Sequence, residues 1–143
     1  METVQILIAI HKDQTALVNT LWTVYQGVSL AVLGFVFSQE FVRRNPWALG
    51  FITISFCIFA AANQRTMVRS QELVFAAAAQ LQAIAALPST DPHLRLVLEA
   101  FPPSSVAMLQ LGHYAFTIIV VSAIWVLYAL SRNKTKQITN LHE

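Results

Sequence analysis

Three apolar stretches, residues 24–43, 46–65 and 112–131, are each long enough to cross a bilayer, and they constrain this chain more than any other feature. Glu40 is the one Asp, Glu or Lys within them. About 20 such residues make a helix of roughly 30 Å, the thickness of the hydrocarbon core. Hydrophobic residues form 56% of the 143, charged residues 11%, and the mean hydropathy of +0.57 is high for a soluble domain. The expected fold is an all-α integral membrane protein of one domain with three transmembrane helices.

Charge and cysteine usage remove several classes. Nine basic residues against seven acidic ones give a formal net charge of +2. No run of Lys or Arg exceeds two, and the aromatics lie inside apolar runs, so nucleic acid is not an expected partner. The lone Cys57 sits mid-span, has no intrachain disulfide partner and reads as a small packing residue. The short apolar run 4–10 has no basic segment before it, unlike a cleavable signal, and neither end carries a lipidation motif.

The breakers set the helix limits. Between Glu2 and Arg44 there is no proline, which predicts a first helix of about 40 residues, roughly 60 Å long. Asn45-Pro46 then supplies an N-cap with proline at the first helical position, and Pro88 stops the second helix after about 40 residues. Asp91-Pro92 repeats the device and opens a short helix to Phe101, which Pro102-Pro103 ends. Ser104 or Ser105 caps the third long helix, which runs to about Arg132.

The first two helices are therefore expected to form a long antiparallel hairpin, of which about half fits the bilayer. Counting about 1.5 Å per residue from the turn, the second span leaves hydrocarbon near Arg65 and the matching level of the first is near Val24. Trp22 and Tyr25 read as interfacial aromatics at that level, and Trp47, Trp125 and Tyr128 at the other. Residues 2–22, 66–87, 92–101 and 104–111 would make a helical module beyond one membrane face. Its low charge predicts packing against copies of itself or against the lipid interface. Arg43, Arg44, Arg132, Lys134 and Lys136 lie near span ends on the turn side, against Lys12, Arg65 and Arg69 opposite. Basic residues favour the cytoplasm, so the expectation is an inner-membrane, multi-pass chain with its N-terminus outside and its C-terminus cytoplasmic.

Two faces of the first helix stand out. Small residues recur at steps of three or four through Thr23, Gly27, Ala31, Gly34 and Ser38, and a less regular row on the second helix runs through Ala48, Ser55, Ala62, Thr66, Ser70 and Ala77, interrupted by Phe59 and Leu73. Because lipid supplies no hydrophobic gain for helix association, small residues that permit close backbone approach mark contacts. These rows are expected to pack the first two helices together; a subunit contact through the glycines and chance placement are the alternatives. The other face, Val4, Leu7, His11, Gln14, Val18, Leu21 and Tyr25, has heptad spacing. His11 and Gln14 take core-like places there and are the candidate oligomer face, against a loosely packed helix end.

Polar residues inside spans need partners. His113, Gln26 and Asn63 lie at comparable depth and are expected to form a hydrogen-bonded layer. Such a layer serves as a constriction, a proton-sensitive gate or part of an ion path, or simply as glue between helices. No histidine spacing resembles a zinc site, no Gly-x-Ser-x-Gly or phosphate loop occurs, and neither catalysis nor a cofactor is expected. The leading functional expectation is a homo-oligomeric membrane assembly of three-helix protomers, pore-like or scaffolding. The first alternative is a non-conducting accessory subunit or anchor of a larger membrane complex, and the second is a membrane-perturbing effector.

Overall fold

The structure, a computed structural model, describes residues 2–101 and 105–139, with side chains up to Arg132. The expectations placed on Pro102, Pro103, Ser104 and the tail after Thr139, and on the side chains of Lys134 and Lys136, lie outside the described side chains or residues. All regular structure among the described residues is helical: α1 (Glu2–Ser38), α2 (Glu40–Arg44), α3 (Pro46–Ala85), α4 (Pro92–Glu99) and α5 (Val106–Thr139). Three of these, α1, α3 and α5, are long and apolar enough to cross a membrane.

The helix starts follow from local chemistry. Asn45 Oδ1 accepts the backbone N–H groups of Trp47 and Ala48 at 3.0 and 3.3 Å, and Pro46 fills the first helical position where no amide is needed. Asp91 does the same for His93 and Leu94 at 2.9 and 3.2 Å. Ser105 Oγ accepts from Met108 N at 3.4 Å at the start of α5.

One expectation about the first helix is corrected. It does not run unbroken to Arg44: Gln39 is extended, with φ −98° and ψ 98°, and separates α1 from α2. Neither Gly nor Pro causes this. Phe35 O still takes its ladder bond from Gln39 N at 3.0 Å and a second from Ser38 Oγ at 3.1 Å, so the last turn of α1 is closed where the chain leaves the helix.

The chain divides into two compact units. One comprises Met1–Trp22 and Gln64–Leu111, the other Thr23–Asn63 and Gly112–Glu143. In the first, Leu7 of α1 packs with Ala77, Leu81 and Ala85 of α3 and with Leu98 of α4. Full burial of a leucine such as Leu81 or Leu98 contributes about 1.5–3 kcal/mol where water is the alternative. His11, half-buried, sets its ring on Phe101 edge to face, with centroids 5.0 Å apart. Gln82 Nε2 donates to Phe101 O at 3.4 Å and closes the segment after α4 onto α3.

In the second unit the buried positions are Tyr25, Ser29 and Val36 on α1, Leu49, Phe56, Ala60 and Asn63 on α3, and His113, Val120 and Ile124 on α5. On each helix these fall on one face at steps of three, four or seven. Ser131 Oγ donates to Tyr128 O at 2.8 Å and lies 3.2 Å from Arg43 O, which brings the end of the α5 span beside α2.

Candidate functional site

The only polar groups that the second unit buries together lie at one level of its helices, among the described residues. Tyr25 and His113 are both completely buried, and their rings stack with centroids 4.0 Å apart and planes 22° from parallel. Phe56 and Phe59 of α3 continue the stack beyond Tyr25 at 6.2 and 6.4 Å, and Phe116 meets it edge on at 5.6 Å. Rings with quadrupoles of this kind gain from offset stacking beyond their buried area.

The hydrogen bonds have a direction. Thr117 Oγ1 donates its single proton to His113 O at 2.8 Å, one turn earlier on α5. The 2.6 Å contact between Tyr25 and Thr117 therefore has the phenol as donor and Thr117 Oγ1 as acceptor. Ser29 Oγ donates to Tyr25 O at 2.7 Å, so hydroxyls brace the backbone on both helices. Asn63 Nδ2 and His113 Nε2 lie 3.5 Å apart, at the long end of hydrogen-bonding range. With the amide donating, the imidazole accepts at Nε2 and is neutral.

Of the three residues expected to form the polar layer, the structure brings Asn63 and His113 together and leaves Gln26 exposed. Gln26 lies about 100° round α1 from Tyr25, which takes the inward place. Tyr25 is accordingly not the headgroup-facing aromatic that its level suggested. Two signals pointed to it: it belongs to the heptad face with Leu7 and Val18, and Ser29 follows one turn later. Thr117 was missed as well, although its place four residues after His113 is where a hydroxyl reaches the preceding turn.

Of the small-residue rows, Thr23, Gly27, Ala31, Gly34 and Ser38 are exposed, as are Ala62 and Thr66, and a Cβ built on Gly27 or Gly34 meets no atom within 4 Å. Ser70 and Ala77, further along the α3 row, are buried, Ala77 beside Leu7 of α1. The row on α1 lies roughly 180° from the face carrying Leu7, Val18, Tyr25 and Val36, and that bulky face is the one the chain buries. Aromatic side chains bury about 150–250 Å² each, so placing Tyr25 and Phe56 inside outweighs close backbone approach along the glycines. On the heptad face Leu7, Val18 and Tyr25 are buried within the protomer, while His11 and Gln14 are half-buried, His11 against Phe101.

As a chemical arrangement this is a neutral, aromatic and hydrogen-bonded cluster. Among the described residues no group of three His, Cys, Asp or Glu side chains comes within reach of a common metal. Compared with known protein families, curated proteins and solved structures, the chain matches none.

Proposed function

We propose that this chain is the protomer of a homo-oligomeric, non-catalytic membrane assembly, pore-like or scaffolding, and that its first unit makes the subunit contacts. In this reading the second unit lies in the bilayer. The first extends the α1–α3 hairpin, together with the short helix α4, beyond one membrane face. The two units divide the chain at 22/23, 63/64 and 111/112, close to the levels at which hydropathy ends the spans. We further place the N-terminus and this unit on the outer side of the inner membrane and the C-terminus in the cytoplasm, on the distribution of arginines and lysines.

The observation that carries the proposal is apolar exposure on the first unit. Leu96 and Met108 are 68% and 72% exposed, and Ile6, Leu17, Leu73 and Val97 are exposed as well. Contiguous apolar surface beyond a few hundred Å² is rare on water-facing monomers and marks a covered face. A second copy covers it with matching chemistry and closed symmetry. Native mass spectrometry of the protein released from lipid nanodiscs tests this. A single self-associated species is expected. Monomers throughout would overturn the proposal, and stoichiometric foreign chains would establish instead an accessory subunit of a larger complex.

A further inference from the structure

The second unit carries an apolar groove with a cationic end, and the geometry points to a binding site there for one anionic phospholipid. Its acyl chain lies between α1 and α5 and its phosphate lies against Arg43. The groove has a volume of about 530 Å³ and is lined by Leu30, Leu33, Gly34 and Phe37 of α1 with Ala123 and Leu127 of α5. Gly34 keeps it open, since a Cβ there would point into empty space. A second groove between α1 and α3 is similar in size but has no cation placed against its lining in this way.

Charge at the mouth selects the occupant. Arg43 holds its guanidinium 5.8 Å from the centroid of Phe37, the last α1 residue of the groove. Arg132 lies over the ring of Tyr128 at 5.8 Å, on the face of α5 turned away from Ala123 and Leu127, so Arg43 is the cation at this mouth. The carboxylate nearest in sequence, Glu40, pairs with Arg44 at 2.6 Å. A basic side chain at the end of a transmembrane groove that takes hydrocarbon makes an acidic-lipid site.

Native mass spectrometry of the full-length protein in detergent, with phosphatidylglycerol and phosphatidylcholine of matched chains in equal amounts, tests the assignment. Phosphatidylglycerol is expected to be retained in about fivefold excess. Arg43→Gln should remove that excess and Arg132→Gln should leave it, while Gly34→Leu should lower retention of both lipids by filling the groove with charge unchanged. Equal retention of the two lipids by the unaltered protein would overturn the assignment, and this arm needs no variant to fold. Undiminished phosphatidylglycerol retention in helical Arg43→Gln, or in helical Gly34→Leu, would overturn it as well. So would loss of lipid on self-association, which would make a neighbouring copy the occupant.

Discussion

Tyr25 shows how one side chain can tie together three helices. Its ring lies between those of His113 and the α3 phenylalanines, while its hydroxyl donates to Thr117. The ring and the hydroxyl are separable. Tyr25→Phe keeps the stack and removes one hydrogen bond, and a cycle with Thr117→Val should give a coupling of about 0.6 kcal/mol, with ~1.7 as the ceiling for such pairs in membranes. Tyr25→Ala removes the stack itself and should cost several-fold more, because the space it leaves lies among Phe56, His113 and Phe116. Reversible unfolding in mixed micelles, followed by Trp fluorescence, measures both. His113 gives the matching contrast: His113→Phe preserves ring stacking and should be milder than His113→Ala. If the two were equally damaging, the contact to Asn63 would outweigh the stack.

At the scale of helices, what could be read from the residues was the local chemistry, and what could not was the choice of face. Asn45 and Pro46 announce the start of α3 because an amide oxygen and a missing N–H act within one turn. Pro88 likewise limits α3, which ends at Ala85. The break at Gln39 gave no such sign, since neither Gly nor Pro stands where the backbone turns extended. Which face of α1 turns inward was decided by partners elsewhere in the chain. Phe56, Phe59 and Phe116 favour Tyr25 and leave no use for Gly27 within the protomer. A small-residue row and a bulky heptad row each describe a sound interface, and the sequence of one helix does not rank them. A test follows from the outcome. With open space around its Cβ, Gly27→Ala should leave the protomer as stable or stabilise it by up to about 1 kcal/mol, through the better helix propensity of alanine. A tightly packed glycine seam would show a loss in the same thermal unfolding measurement. Asn45→Ala should cost about 1 kcal/mol, with faster amide exchange confined to the first turn of α3.

For the whole molecule the three membrane-length helices impose a parity. Residues 89 and 133 are separated by one span, 112–131, so a chain that crosses three times must place them on opposite sides of the bilayer. The orientation proposed above, on the arginines at 43, 44 and 132, puts residue 133 in the cytoplasm. Cys57, exposed on the second span, is replaced first by alanine so that it does not report. In that background Ser89→Cys should react with a charged, membrane-impermeant maleimide in intact cells, and Asn133→Cys only after permeabilisation. The reversed pattern would invert the orientation while preserving three crossings. Reaction of both from one side would remove a crossing and with it the proposed lipid groove between α1 and α5. Retaining Cys57 adds an internal depth gauge. It lies 11 residues after Pro46, about 16 Å along α3, and so near the bilayer midplane if 46–65 is the span. A lipid-soluble maleimide should then modify it far faster than the charged reagent does, because ionised reagents do not reach the hydrocarbon centre. Equal rates would place Cys57 in water, and the second span would have to be redrawn.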